Sequence, residues 1–540
     1  MTIGQKIVKL RLGMDISQEQ LAERLGVSRQ SVSKWEMDQA LPQIDKVLQL
    51  AALFSVTTDA LLQDKIELAG GASRTRKGGK YFGTDGFRGE ANLGLTSMQA
   101  YRVGRFLGWY YASALSGSTK AGYRPRIVIG KDTRRSSYML EYSIVAGITA
   151  SGADAYMLHV TTTPSVSYVT RQDGFDCGIM ITASHNPYYD NGIKIVNSYG
   201  EKLDDEATAL IEAYIDGDMG ALGVEEADLP LAQRARIGCI YDYASGRNRY
   251  IGYLISVASN SFKNLKIGLD CANGASWNIA NAVFSALGAK TFVIGNEPDG
   301  LNINDGCGST SIERLREQVV QQHLDLGFAF DGDADRCLAI DEKGNVIDGD
   351  AIIYILARRM KLRGTLNDDT AVTTVMSNSG FVKSLERIGI RCVQTQVGDR
   401  FVYECMQKNG YAIGGEQSGH IIMKKYATTG DGILTALMLT EEVLDSKTSL
   451  SALAEPIERY PQYLENVRVK DQAAVLADKN VLLAKEAVER RIGGEGRVLL
   501  RKSGTEPVIR VMAECVSARR CEEYVKEVVQ AIREGGHTLG

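Results

Sequence analysis

The segment ITASHNPYYDNGIKI, residues 181–195, places a serine beside a histidine where the serine hydroxyl could act as a nucleophile. Hydrolase serines normally lie in a GxSxG turn, which exposes the hydroxyl above a sheet. Ser184 is flanked instead by Ala183 and His185, so that turn is absent. The electrophile that Ser184 meets must therefore be identified from other parts of the chain.

Three carboxylates follow an apolar segment in FAFDGDADRCLAID. Asp331, Asp333 and Asp335 lie so close together that mutual repulsion would raise their pKa values unless a cation neutralised them. A calcium EF-hand is the rival interpretation, and Glu342 stands at its twelfth position, but Arg336 occupies the place that requires glycine. The cluster predicts a Mg²⁺ site that works with a phosphate-bearing partner, and a solvated acidic turn is the alternative.

A magnesium ion near Ser184 would change the chemistry expected of that serine. A phosphoserine carries roughly two negative charges and could provide a further oxygen ligand to the metal. Lys194, on the same segment, could balance charge during an in-line phosphoryl transfer, in which positioning and electrostatics carry most of the catalysis. Considered alone, Ser184 could also merely cap a turn that Asn186 and Pro187 shape.

Two glycine-containing loops nearer the C-terminus could bind a phosphorylated sugar. RKSGTEPVIR combines guanidinium groups, hydroxyls and a glycine turn, which together suit a phosphate group, although a solvated hairpin is the alternative. Its candidate residues are Arg501, Ser503, Gly504, Thr505 and Arg510. GGEQSGHIIM places Glu416 and Ser418 among glycines, where they could contact sugar hydroxyls, whereas His420 by itself is more typical of a buried structural histidine.

The elements that position these loops follow a repeated order along the chain. Apolar, β-rich segments such as RIVIG, LKIGLD, LGFAF and AVTTVMSN alternate with amphipathic helical patterns, and the polar loops follow the strands. This order predicts α/β layers with parallel strands, in which ligands bind beyond the carboxyl ends of the strands. Residues 456–540 predict a smaller α+β unit.

The bulk composition limits the classes of protein to which this chain can belong. Its 540 residues predict several domains, and 44% apolar content is ordinary for a globular protein. The net charge is −4, with a modest basic surplus at the N-terminus. No run approaches the roughly 18 uncharged apolar residues of a membrane span, and the nine scattered cysteines lack a CxxC pattern. We expect a cytoplasmic protein with reduced thiols and no membrane association.

Residues 1–65 show a separate helical pattern, joined to the rest of the chain by a glycine-rich linker at residues 66–79. Within SQEQLAERLGVSRQSVSKWE, Ser17 and Gln20 match a capping box, which begins a helix. A tight helix-turn-helix needs a small packing residue, a turn glycine and a core residue, and the matching residues are Ala22, Gly26 and Val32. The apolar residues expected to share one buried face are Leu21, Leu25, Val27, Val32 and Trp35.

This N-terminal segment resembles the Cro/repressor-like helix-turn-helix family along most of residues 3–62. The resemblance implies sequence-specific binding of double-stranded DNA through residues 1–65, usually as a homodimer. The residues expected to meet bases and phosphates, at the start and outer side of the second helix of the motif, are Ser28, Arg29, Gln30, Ser31 and Lys34. A small helical bundle used for assembly is the alternative interpretation.

From about Lys80 to the C-terminus, the motifs together resemble the α-D-phosphohexomutase superfamily. The resemblance rests on KYFGTDGFRG, TASHNPYYDNGIKI, DGDADR, VGDRFV, GGEQSGHII, TTGDGI and RKSGTEPVIRVMAE, in that order. It implies an α/β protein with four domains around a central cleft, three of them α/β and the last α+β, preceded by the small all-α helix-turn-helix domain. The expected domains are residues 80–236, 237–346, 347–455 and 456–540.

The resemblance also implies roles for individual residues. Ser184 would be phosphorylated and would bind one Mg²⁺ ion together with the three aspartates, while the RKSGT loop would hold the substrate's phosphate. Glu416 and Ser418 match sugar contacts, and Ala334 stands where relatives often have glycine. The residues expected to balance charge or transfer protons are Arg88, His185, Lys194 and His420.

These roles predict a phosphoenzyme reaction on a hexosamine phosphate. Phospho-Ser184 would give its phosphoryl group to glucosamine 6-phosphate, and the resulting hexosamine bisphosphate would return its other phosphoryl group to leave glucosamine 1-phosphate. The preference for an amino sugar rests on resemblance alone, so phosphoglucomutase or phosphomannomutase activity is the nearest alternative. A transcription regulator that only senses a sugar phosphate is an alternative of another class, although such a regulator has no need for a nucleophile beside a metal site.

Overall fold

The computed structural model describes most of the chain as two compact units, residues 1–77 and 78–540. The described residues are 3–13, 16–36, 40, 42–54, 79–83, 85–115, 123–502 and 508–539. The first unit is helical and the second combines four sheets with surrounding helices. The linker predicted at residues 66–79 lies outside the described residues except for its last position. None of the helices in the described ranges is long and apolar enough to cross a membrane.

The helical unit contains the predicted helix-turn-helix. Its described helices are α1 (Ile3–Gly13), α2 (Gln18–Leu25), α3 (Arg29–Glu36) and α4 (Ile44–Phe54). The capping box is present, because the Ser17 N–H donates to Gln20 Oε1 at 2.8 Å and the Gln20 N–H donates to Ser17 Oγ at 3.2 Å. Gly26, in the turn between α2 and α3, has φ of +63°, which glycine adopts without strain. Of the predicted core, Leu21, Leu25, Val32 and Trp35 are buried and Val27 is partly buried.

The second unit begins with a seven-stranded sheet. Its strands are β1 (Phe82–Gly83), β2 (Gly86–Glu90), β3 (Arg126–Lys131), β4 (Asp154–Val160), β5 (Cys177–Ile181), β6 (Asp190–Asn197) and β7 (Ile240–Asp242). The order is β1-β2-β6-β5-β3-β4-β7, with β5, β3, β4 and β7 parallel and the other strands antiparallel to their neighbours. The accompanying helices are α5 (Ser97–Leu115), α6 (Arg135–Ala150), α7 (Thr163–Gln172) and α8 (Asp205–Asp216).

Strand β7 extends this first sheet past residue 236, where the sequence predicts the end of the first domain. Ala155 of β4 pairs in parallel with Ile240 of β7. All three residues of β7 are exposed, so the strand has no apolar alternation that could identify it in the sequence. The first layer therefore continues to residue 242.

The second and third sheets follow in chain order. The second contains β8 (Lys266–Asp270), β9 (Lys290–Ile294), β10 (Leu326–Phe330), β11 (Cys337–Ile340) and β12 (Val346–Ile347), in the order β12-β11-β10-β8-β9. The third contains β13 (Thr370–Thr374), β14 (Arg391–Thr395), β15 (Ile413–Gly415) and β16 (Ile421–Met423), in the order β14-β13-β15-β16. Their helices are α9 (Ala244–Val257), α10 (Ile279–Ala286), α11 (Glu313–Gln321), α12 (Gly349–Leu362), α13 (Ser379–Arg387), α14 (Asp399–Asn409), α15 (Gly432–Ser446) and α16 (Leu450–Ala454).

The fourth sheet forms the predicted α+β unit. Its antiparallel strands are β17 (Gln462–Arg468), β18 (Gly496–Lys502) and β19 (Val508–Cys515), in the order β17-β19-β18. Helices α17 (Gln472–Ala477), α18 (Lys479–Ile492) and α19 (Ala518–Glu534) accompany it, and the core between them is built largely from valines. Short 3₁₀ turns elsewhere in the second unit cover Gly220–Leu222, Arg234–Arg236 and Asn367–Asp369.

Each of the first three sheets contains the same local arrangement of strands. A fully buried parallel strand ends in a polar loop, and the chain returns through an antiparallel neighbour: β5 to β6, β10 to β11, and β15 to β16. The sequence predicts parallel strands, which is right for the sheet centres, but at these three loops the chain forms hairpins. The returning strands are themselves largely buried, and β11 and β16 are apolar, so their pattern does not distinguish a hairpin from a crossover. The hairpins present three loops at the carboxyl ends of parallel strands, and the predicted fold class is confirmed.

Candidate active site

Ser184 lies in the β5–β6 hairpin loop and is buried. Its φ of +53° is in the left-handed region, which a residue with a Cβ rarely adopts. The Ser184 N–H donates to Thr182 Oγ1 at 2.9 Å, and the hydroxyl donates to Asp331 Oδ2 at 2.5 Å. His185 Nδ1 lies 3.3 Å from the same hydroxyl oxygen. The serine loop and the aspartate loop, 147 positions apart in the chain, therefore meet.

The three aspartates form one compact cluster in the β10–β11 hairpin. Each offers a carboxylate oxygen within 4.8 Å of the others, and all three are buried. Burial and the neighbouring carboxylates raise the pKa of Asp331 well above its usual range. Within the described parts of the chain, no hydrogen-bond donor reaches Oδ1 of Asp333 or Oδ1 of Asp335. Buried carboxylate oxygens without donors fit a Mg²⁺ ion, which prefers oxygen ligands.

Two small residues allow the aspartate loop to approach the serine loop. A Cβ at Gly332 would lie 2.5 Å from the carbonyl oxygen of Ser184, so only glycine fits there. Ala334 has φ of +57°, again in the left-handed region. Glycine would adopt this conformation without strain, whereas an alanine must be held in it by its surroundings. The alanine leaves the predicted metal ligands in place on either side of it.

Lys194 extends from β6 into the aspartate cluster. Its Nζ lies 2.9 Å from Asp333 Oδ2, 3.1 Å from Asp335 Oδ2 and 3.2 Å from Asp85 Oδ2. Burial alone would lower the pKa of Lys194, but the three carboxylates outweigh burial and raise it well above its usual range. The lysine therefore places a fixed positive charge among the carboxylates.

Three charged residues to which the sequence assigns no role continue this network. Lys202 Nζ lies 3.2 Å from Asp85 Oδ1 and 2.7 Å from Asp399 Oδ2. His420 lies between the ends of the network, with Nε2 at 3.5 Å from Asp399 Oδ2 and Nδ1 at 3.6 Å from Asp335 Oδ1. Acidic and basic side chains thus alternate around a closed ring, which we call the charge ring. Its members are Asp335, Lys194, Asp85, Lys202, Asp399 and His420.

Two of the three missed members of the charge ring stand in motifs that the sequence does single out. Asp85 belongs to KYFGTDGFRG and Asp399 to VGDRFV, while Lys202 follows β6 outside any motif. A charged residue in a loop indicates nothing about its partner, because Lys202 and Asp399 are 197 positions apart. The motif positions of the two aspartates are the only signal that could have identified them.

The two candidate histidines experience different surroundings. Burial and the cations Arg336 and Arg88 lower the pKa of His185 to about 4, so its imidazole is neutral beside Ser184. Burial would also lower the pKa of His420, but nearby carboxylates outweigh burial and raise it to about 9. The Gly430 N–H donates to His420 Nε2 at 3.0 Å and favours the neutral ring instead. The carboxylates therefore favour the charged ring of His420, and the Gly430 N–H favours the neutral ring. The histidine lies between the second and third sheets.

Two arginines lie beside the serine loop and the aspartate loop. Arg88, on β2, forms an ion pair with Asp85 and donates to Asn186 Oδ1 at 3.3 Å. Arg336 follows the aspartates, and its backbone N–H donates to Asp331 Oδ1 at 3.1 Å. Arg336 Nε is buried, lies 4.0 Å from Asp335 Oδ1 and has no acceptor within hydrogen-bonding distance in the described ranges, which suits an incoming phosphoryl oxygen. Sequence reasoning predicted Arg88 and missed Arg336, whose signal was its place at the end of DGDADR.

The predicted sugar contacts lie on the β15–β16 hairpin. Glu416 Oε1 accepts the Gly398 N–H at 3.0 Å, and the Ser418 hydroxyl donates to Glu416 Oε2 at 3.4 Å. Both side chains are only partly buried. The carboxylate is thus fixed by the VGDRFV loop while it remains accessible, which suits a contact with sugar hydroxyls.

The predicted phosphate loop connects β18 and β19. Arg501 and Arg510 stand directly opposite each other in that strand pair, an arrangement of like charges that is unfavourable without an anion. Burial and Arg510 lower the pKa of Arg501, and Arg510 Nε is buried without an acceptor in the described part of the chain. These features suit a phosphate group. The other predicted members of the loop, Ser503, Gly504 and Thr505, lie outside the described residues.

The candidate DNA-contacting residues are mostly exposed to solvent, whereas Ser184 and the three aspartates are buried. Ser28, Arg29, Gln30 and Lys34 are exposed at the start and outer side of α3, whereas Ser31 is partly buried. The Ser28 and Ser31 hydroxyl oxygens lie 2.9 Å apart, and the Ser31 N–H donates to Ser28 Oγ at 3.2 Å, which caps the helix. The exposed side chains leave a polar face on the surface of α3.

Sequence comparison matches five segments of the chain to known domain families. Residues 79–220, 248–344 and 348–460 match alpha/beta/alpha domains I, II and III of the phosphoglucomutase/phosphomannomutase family. Residues 464–531 match the C-terminal domain of that family, and residues 7–61 match a helix-turn-helix family.

Comparison with whole proteins gives the same assignment. The chain is 58% identical over 461 residues to the phosphoglucosamine mutase of Lachnospira eligens, which covers 85% of this chain and 100% of the relative. It is 47% identical over 455 residues to the phosphoglucosamine mutase of Bacillus subtilis, which covers 84% of this chain and 98% of the relative.

Solved structures share the fold. A phosphoglucomutase/phosphomannomutase family protein from Burkholderia thailandensis has a TM-score of 0.67 at 20% identity, covering 84% of this chain and 97% of its own. Aspergillus fumigatus N-acetylphosphoglucosamine mutase, in complex with GlcNAc-6P and magnesium, has a TM-score of 0.60 at 19% identity, covering 84% and 96%. With the sequence identities above, the chain belongs to the phosphoglucosamine mutase family and carries in addition an N-terminal helix-turn-helix domain.

Proposed function

We propose that the second unit interconverts glucosamine 6-phosphate and glucosamine 1-phosphate through phosphorylated Ser184. The observation that carries the proposal is the 2.5 Å hydrogen bond from Ser184 Oγ to Asp331 Oδ2, within a buried cluster of three carboxylates. A hydroxyl in that position can carry a phosphoryl group whose charge is offset by a metal ion and by Lys194. The identity to phosphoglucosamine mutases over almost their whole length supports this substrate.

The aspartate cluster, with an oxygen of the phosphorylated serine, would hold one Mg²⁺ ion. When bound, the ion supplies positive charge that lowers the electrostatic cost of phosphoryl transfer. Lys194 holds a second positive charge on Asp333 and Asp335. Arg336 and Arg88 add guanidinium groups at the edge of the same site and can bind the equatorial phosphoryl oxygens.

In the first half-reaction, the C1 hydroxyl oxygen of glucosamine 6-phosphate attacks the phosphorus of phospho-Ser184. The bond from phosphorus to Ser184 Oγ breaks, a bond to the sugar oxygen forms, the proton of the C1 hydroxyl passes to a base, and Ser184 Oγ takes up a proton. In the second half-reaction, the bisphosphate turns over and Ser184 Oγ loses its proton as it attacks the 6-phosphoryl group. The bond from that phosphorus to the sugar O6 then breaks, and O6 gains a proton. His420, within the charge ring, is the proposed proton carrier, and His185 is neutral beside Ser184 Oγ.

The substrate is held at the end that does not react. Arg501 and Arg510, with the predicted Ser503, Gly504 and Thr505, would bind the phosphate that is not being transferred. Glu416 and Ser418 would bind sugar hydroxyls, which orients either end of the sugar toward Ser184. One phosphate site thus serves both half-reactions, because the bisphosphate presents a phosphate to it in each orientation.

Coupled turnover assays on the full chain with Mg²⁺ test this proposal. We expect glucosamine 6-phosphate to be converted faster than glucose 6-phosphate or mannose 6-phosphate, and intact mass to show one phosphoryl group on Ser184. Faster conversion of glucose or mannose phosphate would indicate a phosphoglucomutase or phosphomannomutase instead. Absence of turnover on all three substrates would favour a regulator that senses a sugar phosphate.

We further propose that residues 1–65 bind double-stranded DNA as a homodimer and that the protein acts in the cytoplasm. The supporting observation is the exposed polar face of α3, formed by Ser28, Arg29, Gln30 and Lys34. Selection from a random duplex library, followed by titration at several salt concentrations, tests this function. We expect affinity to fall as salt rises, because phosphate contacts release counterions. No DNA binding even at low salt would favour the alternative, in which the helical unit serves in assembly. Sedimentation analysis would then detect self-association of the chain.

A further inference from the structure

Arg134 is a fully buried arginine to which neither the motifs nor the proposed chemistry assigns a role. It follows β3 and directly precedes α6. A guanidinium group has five N–H donors, and Arg134 Nε–H donates to Asp132 Oδ2 at 2.8 Å. The other donors reach four carbonyl oxygens of the serine loop, those of Ser184, Asn186, Pro187 and Asp190. One side chain therefore binds the backbone of this loop at four points.

Asn304, from the second sheet's side of the site, binds two of the same carbonyl oxygens. Its Nδ2 donates to Ser184 O at 2.9 Å and to Asn186 O at 3.0 Å. Arg134 Nη2 donates to the same two oxygens at 3.0 and 2.8 Å. Each of these carbonyl groups therefore receives two donors, one from each of two separate parts of the fold. We call this pair of side chains the loop clamp.

Ser184 needs such support because its backbone conformation is unfavourable. A left-handed residue with a Cβ persists only when its surroundings hold it there. The Gly332 backbone lies close to the Ser184 carbonyl, where an added Cβ would clash, and the loop clamp fixes the same oxygen by hydrogen bonds. Rotation of this peptide would carry the Ser184 hydroxyl away from Asp331.

We propose that Arg134 and Asn304 are positioning residues that hold the Ser184 hydroxyl on the aspartate cluster. The inference rests on the proposed function, in which Ser184 carries the phosphoryl group. Neither side chain touches the sugar loop or the two arginines of the phosphate site in the described hydrogen bonds. Loss of the loop clamp should therefore lower kcat and leave KM nearly unchanged, because the transfer geometry is lost while substrate binding remains.

Arg134→Lys is the most informative variant. Lysine keeps the positive charge beside Asp132, but its single ammonium group cannot bridge four carbonyl oxygens. A misplacement of about 1 Å at a reacting group can cost about 100-fold in rate, so we expect kcat to fall about 100-fold. Asn304→Ala removes only two of the hydrogen bonds and should lower kcat about tenfold, with KM within about threefold of wild type for both variants.

Arg105→Lys provides the matched control. Arg105 is also fully buried and donates to the carbonyl oxygens of Leu229 and Pro230 and to Ser151 Oγ, remote from the serine loop. We expect this variant to lose thermal stability but to keep kcat once folded. Equal losses of kcat in Arg105→Lys and Arg134→Lys, or a rise in KM that accounts for the whole loss, would refute the loop clamp.

Phosphorylation of Ser184 by glucose 1,6-bisphosphate, followed by intact mass, separates the loop clamp from the proposed function. Wild-type protein that is phosphorylated but converts no hexose phosphate would refute the proposed function. In that case, slower phosphorylation of Arg134→Lys than of wild type would still support the loop clamp. Equal phosphorylation rates in both proteins would overturn it. If Arg134→Lys does not fold, Asn304→Ala decides, and a kcat equal to wild type in that variant refutes the inference.

Discussion

The helical unit and the mutase unit present their candidate functional residues in opposite ways. In the helical unit, Arg29 and Lys34 lie on the surface of α3, where a duplex can reach them. In the mutase unit, Ser184, Asp331 and Lys194 are buried and bound to one another or to neighbours. A duplex is contacted from outside, whereas phosphoryl transfer requires charges held in a fixed, partly dehydrated arrangement.

This difference indicates how each unit should respond to substitution. The exposed candidate residues of α3 share few partners, so single changes there should have moderate and additive effects. Buried members of the charge ring share partners, so removal of one leaves others with an uncompensated charge. The contrast can be tested by variants that range from the serine itself to a buried carboxylate outside the charge ring.

The largest effect is expected for Ser184→Ala, because the alanine cannot accept a phosphoryl group. We expect turnover to fall at least about 10⁴-fold and the phosphorylated mass to disappear, with an unchanged circular dichroism spectrum. Ser143→Ala is the control, since the Ser143 hydroxyl only donates to Met139 O within α6. Sustained mutase activity in Ser184→Ala would contradict the phosphoserine mechanism.

Lys202→Met should have the next largest effect, because Lys202 is the cation between Asp85 and Asp399 in the charge ring. Supporting residues around such sites typically contribute 10- to 100-fold to activity, and we expect kcat to fall by about that amount. Lys361→Met is the control, since the Lys361 side chain is as exposed as that of Lys202 and pairs with Asp369 away from the site. Equal turnover in both variants would show that the charge ring plays no part in catalysis.

A moderate effect is expected when Arg29 and Lys34 are both replaced by alanine. We expect DNA affinity to fall about tenfold or more, and the salt dependence to decrease by about two counterions, because each cation would neutralise one phosphate. Mutase turnover should be unchanged, since neither residue belongs to the charge ring. The control pair Arg519→Ala and Lys526→Ala removes the same charge from α19. An equal loss of DNA affinity in that control would show that net charge alone is responsible.

The smallest effect is expected for Asp350→Asn and concerns stability. Burial raises the pKa of Asp350 to about 7, although its Oδ2 accepts the Asn378 N–H at 2.8 Å. Since the folded-state pKa lies above the unfolded value near 4, wild-type stability falls as pH rises from about 4 to 7. The variant lacks this loss, so its thermal midpoint should exceed that of wild type at pH 8 and match it near pH 4.

Asp478→Asn is the control of opposite sign. The His537 side chain and two backbone N–H groups lower the pKa of Asp478, so this carboxylate stabilises the fold at neutral pH and loses that contribution as pH falls. We expect Asp478→Asn to lower the thermal midpoint at pH 8 more than at pH 4. A pH-independent difference for Asp350→Asn, measured by calorimetry, would contradict the burial effect.

Local patterns allowed much of the fold to be predicted from the sequence. Ser17 and Gln20 are three residues apart, and their capping box follows from helix geometry alone. The buried strands before the serine and aspartate loops are continuous apolar runs, and polar loops after such strands are expected at the edge of a sheet. The exposed, three-residue strand β7 has no such pattern and was placed only by its pairing with β4.

The sequence by itself determined which chemical groups are available and where short-range order begins: the serine, the aspartates, the two glycine-containing loops and the caps of the helices. Only the tertiary structure decided which charges meet. Lys194 and Asp333 are 139 positions apart, and Arg134 donates to carbonyl groups of the serine loop that lie about fifty positions further along the chain. Covalent geometry governs contacts between near neighbours, whereas partners this distant are set by how the sheets pack and bring their hairpin loops together.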